Sequence, residues 1–131
     1  MIALDTNVIA RYLLRDDPAQ FRQAAETIEA AVDGDGCFLP LVVLCELVWV
    51  LRSCVKADRH EIAQTIGDLL LTGGMTIESA DIAHTALQKY SRGKGDFADY
   101  IIGATADAHD AESTVTFDRK LAGEMGFMLL E

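Results

Sequence analysis

The chain has 131 residues, half of them apolar and 24% charged, enough greasy surface for one hydrophobic core and too much for a disordered segment. Eleven Lys and Arg against 21 Asp and Glu leave a net charge of −10, which excludes coating of a polyanion by general attraction; contact with nucleic acid would need a local basic rim or bound cations. Asp5 arrives before a signal sequence can develop, and the most apolar segment, 37–51, is too short to span a bilayer and contains Glu46, so a single domain over 1–131 is expected in the cytoplasm, without membrane contact.

Along the chain, residues 1–4 form a short apolar run ending at Asp5, and 7–15 place apolar residues at 8, 9, 12 and 13, a helical rhythm. Asp16-Asp17-Pro18 breaks that helix, and 19–32 resumes the period with Phe21, Ala24, Ala25, Ile28 and Val32 on one side. The Asp33-Gly34-Asp35-Gly36 turn leads into a strand at 37–39, after which Pro40 suits the first turn of a helix over 41–54. That helix is apolar nearly all round, so it is expected to be buried, Trp49 included. Cys37, Cys45 and Cys54 fit neither a disulfide framework nor a zinc knuckle and read as small buried hydrophobes.

Asp58 with Glu61 has the form of a capping box opening a helix that runs to about 71, closed by Gly73-Gly74. A strand at 75–77, a helix over 80–90 and a glycine-rich loop at 92–95 follow, then a helix from about 96 to 108. A strand at 113–116, a short helix over 118–123 and a strand at 127–130 complete the chain. Strands alternating with helices predict an α/β fold, a three-layer α/β/α sandwich around a central parallel sheet of four or five short strands. In such folds ligands bind at the carboxyl ends of the strands.

Asp5 ends the first strand and Asp118 follows the fourth, while Asp96 and Asp99 open a helix. Each has a structural explanation as a helix cap or as a charge favoured at a helix N-terminus. Glu46 has none, because Val42, Val43, Trp49 and Val50 surround it at helical spacing and are expected to leave its carboxylate no exposed face. Such a group requires a basic side chain, a proton or a metal ion. Acids from separate segments gathered on one rim would repel one another, and a hard cation such as Mg²⁺ or Mn²⁺ relieves that repulsion.

The run Leu4-Asp5-Thr6-Asn7-Val8-Ile9 with Asp16-Asp17-Pro18, the lone Glu46 in an apolar helix, Asp96-Phe97-Ala98-Asp99-Tyr100-Ile101-Ile102 and Thr116-Phe117-Asp118 together resemble the PIN-domain ribonucleases. The likeness spans the chain and is strongest to the VapC-type toxins of prokaryotic toxin–antitoxin pairs. It implies a catalytic, metal-holding quartet of Asp5, Glu46, Asp99 and Asp118, with Asp96 as an auxiliary acid and Thr6 or Asn7 and Thr116 lining the pocket. It also implies one or two Mg²⁺ or Mn²⁺ ions, an RNA substrate cut at phosphodiester bonds, a homodimer and a small antitoxin partner, whose amphipathic segment is expected over the apolar stretch 41–51. Arg11, Arg15, Lys94, Arg119 and Lys120 are the candidate phosphate contacts, each with solvated surface charge as the plainer explanation.

Three other readings compete. A PIN-domain nuclease that processes RNA without being a toxin would carry the same motifs. An Asp-based phosphatase or phospho-acceptor domain would use Asp5 as nucleophile, but a haloacid-dehalogenase-like site needs an acid where Asn7 stands, and a receiver domain does not need Glu46. A partner-binding module would use the acids only as helix caps.

Overall fold

The computed structural model describes all residues from Met1 to Glu131. Two compact units are distinguished, Met1–Ala80 and Asp81–Glu131. The first contains β1 (Ile2–Ala3), α1 (Thr6–Leu14), α2 (Pro18–Asp33), β2 (Cys37–Leu39), α3 (Leu41–Ser53), α4 (Arg59–Leu70) and β3 (Met75–Ile77). Its three strands pair in parallel in the order β1-β2-β3, with Ile2 opposite Cys37 and Phe38 opposite Thr76. Parallel neighbours require a crossover, which α1 with α2 supplies between β1 and β2, and α3 with α4 between β2 and β3.

Three of the four helices of this unit begin at a capping acid, while α3 follows Pro40 with no side-chain cap. Asp5 caps α1, Asp17 caps α2 with Pro18 in its first turn, and Asp58 forms with Glu61 the reciprocal capping box expected for α4. Helix α1 ends at Arg15, which adopts a left-handed conformation, φ 55°. Ile9, Ile28, Cys37, Leu39, Leu44, Leu47, Ile62 and Ile66 are buried completely or nearly so. By transfer arithmetic, each large aliphatic side chain among them contributes about 1.5–3 kcal/mol.

Helix α3 departs from the expectation of burial on all sides. Val43, Leu44, Leu47, Val48 and Leu51 are buried, but Val42, Glu46 and Trp49 form an exposed face. Their spacing of four and three residues puts them on one stripe of the helix. Apolar neighbours therefore do not bury Glu46, because two of them, Val42 and Trp49, share its exposure.

The second unit contains α5 (Ala80–Arg92, whose first residue closes the preceding unit), α6 (Phe97–Ala108), β4 (Thr114–Thr116), a 3₁₀ turn (Arg119–Leu121) and β5 (Phe127–Leu129). β4 and β5 form a parallel two-stranded sheet with Val115 opposite Met128. Every strand pairing in the molecule is thus parallel, and the five short strands are grouped three and two. Phe97, Tyr100, Leu121, Ala83, Ala86 and Tyr90 are buried, with Tyr90 edge-on to Phe97 at 5.9 Å between ring centroids and Tyr100 edge-on to Phe127 at 6.5 Å. Gly103 lets α6 approach β5, since a Cβ there would stand 2.9 Å from Phe127 Cζ.

Candidate active site

Asp5 lies just beyond the carboxyl end of β1 and caps α1 in extended backbone geometry. Its Oδ1 accepts from the backbone N–H of Thr6 at 2.8 Å. The Thr6 hydroxyl donates to Oε1 of Glu46 at 2.9 Å, across 40 residues of sequence. One threonine, only 7% exposed, therefore fixes two carboxylates from different elements. The sequence left Thr6 and Asn7 as alternatives for a pocket-lining role; the bridge is made by Thr6, while Asn7 is exposed.

The acids of the second unit are held in a similar way. Asp96 caps α6, and its backbone N–H donates to Oδ2 of Asp99 at 2.9 Å. Asp118 follows the carboxyl end of β4, where its N–H donates to Thr116 Oγ1 at 3.0 Å. Its Oδ1 accepts from Lys120 N–H at 2.9 Å, which starts the 3₁₀ turn. Thr116 thus shapes the turn that presents Asp118.

Asp5, Glu46, Asp99 and Asp118 share one feature: each is anchored through a single carboxylate oxygen by hydrogen bonding inside its own unit. The second oxygen of Asp118 faces Lys120 Nζ at 3.8 Å, in a partly exposed pair that is worth little in water. An oriented carboxylate with an oxygen to spare is, by its chemistry, the type of ligand a hard divalent cation takes. Nowhere are three His, Cys, Asp or Glu side chains gathered into a group that could hold a metal ion. Asp5 and Glu46 come from the first unit and Asp96, Asp99 and Asp118 from the second.

Of the basic candidates, Arg11 is engaged: Nη1 donates to both oxygens of Asp16 at 3.0 and 2.9 Å, and Nε donates to Gln20 at 2.7 Å. The Arg15 guanidinium lies over the Phe21 ring, 4.7 Å from its centroid. Lys94, Arg119 and Lys120 are exposed.

Only Cys37 is buried among the cysteines; Cys45 is partly covered and Cys54 exposed, and all three are free thiols. That corrects the expectation that all three fill the core, since Cys54 lies just past the last residue of α3. Burial, and secondarily the charge of the adjacent Glu46, push the Cys45 thiol above its ordinary value, which makes it a poor nucleophile. Glu124 and Tyr100 join in a hydrogen bond at 2.9 Å that no motif pointed to, because the two lie 24 residues apart and match no local pattern.

A hollow of about 780 Å³ opens in the first unit, lined from the end of α1, from α2, from the end of α3 and from α4. Leu13, Leu14, Ile28, Val32, Leu51 and Leu69 contribute apolar surface, while Glu29, Asp33, Glu61 and Asp68 are its charged lining residues, all acidic.

Comparison with known proteins adds three findings. Residues 2–123 match the model of the PIN domain family. A VapC ribonuclease of Aquifex aeolicus (strain VF5) is 26% identical over 132 residues, covering 97% of this chain and 93% of that protein. A toxin-antitoxin complex from Klebsiella pneumoniae is 22% identical to this chain, covers 98% of it and 96% of its own chain, and has a TM-score of 0.37.

Proposed function

This chain belongs to the PIN domain family, and on that premise we propose that it is a divalent-metal-dependent endoribonuclease, the toxin of a VapBC-type toxin–antitoxin pair. The whole of 1–131 is taken as one PIN-like domain. The observation that carries the reading is the bridge through Thr6, which holds Asp5 and Glu46 together by two hydrogen bonds. Asp5 is accounted for as a helix cap, and Glu46, exposed in the middle of α3, needs no charge partner; what the bridge adds is that the Glu46 carboxylate is tied to the residue that also holds Asp5. The likeness to a VapC ribonuclease over nearly the full chain supports the same activity and the toxin assignment.

The residues proposed to hold one or two Mg²⁺ or Mn²⁺ ions are Asp5, Glu46, Asp99 and Asp118, with Asp96 auxiliary. Bound there, such a cation lowers the pKa of water and neutralises charge on a phosphodiester. Thr6 keeps the Asp5 and Glu46 carboxylates oriented, and the Asp96 amide does so for Asp99. Thr116 sets the turn that carries Asp118. Lys94, Arg119 and Lys120 are the exposed cations proposed to meet the RNA backbone, with Arg11 and Arg15 secondary because their guanidinium groups already have partners. The five proposed acids account for half of the excess negative charge, and cations bound to them would reverse the local field for a polyanion.

The proposed partners are RNA, a second copy of the chain and a small antitoxin. The antitoxin reading shifts from the stretch 41–51, of which only Leu51 lines the hollow of the first unit, to that hollow as a whole, whose apolar surface and acidic side chains suit an amphipathic helix with a basic polar face. Val42 and Trp49, exposed on α3, offer apolar surface for self-association. The proposed location is the cytoplasm; no helix is long and apolar enough to cross a membrane.

The test is cleavage of single-stranded RNA by the purified chain with Mg²⁺ or Mn²⁺, with chelator and with a phosphomonoester as controls. Asp5→Asn and Asp99→Asn are each expected to lower the rate by about a hundredfold or more, the scale of losing one group that stabilises the transition state. Undiminished cleavage in both variants would remove the proposed site. Absence of growth arrest on expression, with no small partner encoded beside the gene, would leave a nuclease that is not a toxin.

A further inference from the structure

The loop between α5 and α6 is fastened by a relay that the proposed mechanism does not use. The backbone N–H of Gly95 donates to Oη of Tyr100 at 3.0 Å, and that hydroxyl donates to Oε1 of Glu124 at 2.9 Å. One peptide further, the N–H of Asp96 donates to Oδ2 of Asp99. Tyr100 is 1% exposed, and the second Glu124 oxygen is buried with no hydrogen-bond partner. Burying a carboxylate oxygen in this way is unfavourable, so packing alone is a poor reason for Glu124 to be there.

The surrounding backbone is shaped to admit the pair. A Cβ on Gly93 would collide with Tyr100 Oη and come within 2.5 Å of Glu124 Oε1, and one on Gly95 would stand 2.6 Å from Leu121 Cδ2. Glycine is needed for this approach, but it is also the residue with the widest φ/ψ freedom. Without a bond to its N–H, Gly95 would let the next peptide, which carries the Asp96 amide, swing. A buried Tyr hydroxyl that accepts from Gly95 needs an acceptor for its own proton, and an oxygen placed there polarises it and strengthens the bond it receives.

We infer that Glu124 is a positioning residue for Asp99. It holds the Tyr100 hydroxyl, the hydroxyl fixes Gly95, and the fixed backbone aims the amide that ties down the Asp99 carboxylate. The inference rests on the reading of Asp99 as a metal-holding acid.

The experiment uses the full chain without RNA and compares Tyr100→Phe, Glu124→Ala and Glu124→Gln with the unaltered protein. Mn²⁺ affinity is measured by calorimetric titration, and hydrogen exchange at the Gly95 and Asp96 amides by NMR. Tyr100→Phe removes one oxygen and Glu124→Ala removes the acceptor. Both are expected to weaken Mn²⁺ binding about tenfold or more, the range for losing a group that orients a metal ligand, and to speed exchange at the two amides. Glu124→Gln keeps an acceptor for Tyr100 and is expected to restore both properties. Faster exchange in Tyr100→Phe with unchanged Mn²⁺ affinity would overturn the inference, as would a Glu124→Gln protein as impaired as Glu124→Ala. An unaltered protein that binds no Mn²⁺ would instead sink the metal site itself, and the inference with it, a result visible before any variant is made.

Discussion

Thr6 directs both of its donors at acids, its backbone N–H to Asp5 and its hydroxyl to Glu46. Thr6→Val keeps the shape and the backbone bond but deletes the hydroxyl. Because Glu46 is exposed, water can replace the lost donor, so the expected loss is about 1 kcal/mol, read as a lower thermal unfolding midpoint. Mn²⁺ affinity should fall as well, and Thr6→Ser should recover it. At this scale each acid was open to nomination from the sequence, as a candidate only. Their anchoring was not. The choice of Thr6 over Asn7 depends on which side chain faces α3, and the Glu124–Tyr100 contact depends on a fold that brings distant residues together. The expected burial of Cys54 failed for a local reason: it lies just past α3, where the helix no longer has a covered face to offer.

Secondary structure was the most legible level, because start signals and period act locally. The strands at Cys37–Leu39 and Met75–Ile77 coincide with their expected bounds, and the Asp58 and Glu61 capping box is present on both sides. Asp58→Ala is expected to cost about 1 kcal/mol, measurable by chemical denaturation, with little effect on RNA cleavage because α4 carries none of the proposed acids. Helix α5 runs on to Arg92, past the expected end at 90, and the last short helix is a single 3₁₀ turn at Arg119–Leu121. The one substantive misreading concerned α3. Composition says that a helix is apolar, but only tertiary contacts say how much of its circumference is covered. In α3 the covered side holds Val43, Leu44, Leu47, Val48 and Leu51, and Val42, Glu46 and Trp49 remain outside.

For the molecule as a whole, the alternation of strands and helices sufficed to predict an α/β fold with parallel pairing, and every observed pair is parallel. Grouping the strands as three and two was beyond a local reading, since pairing is decided by contacts between distant segments. The net charge of −10 likewise limited general attraction to any polyanion without naming a site. Trp49 is the chain's sole tryptophan, 57% exposed and three residues from Glu46 on the same helix. Its fluorescence is therefore an intrinsic optical gauge of α3, requiring no label. Dilution that separates a dimer covering this helix should shift the emission to the red, and a partner that seats there should shift it to the blue. Trp49→Phe would silence the signal, tying any colour change to the indole beside the proposed acid.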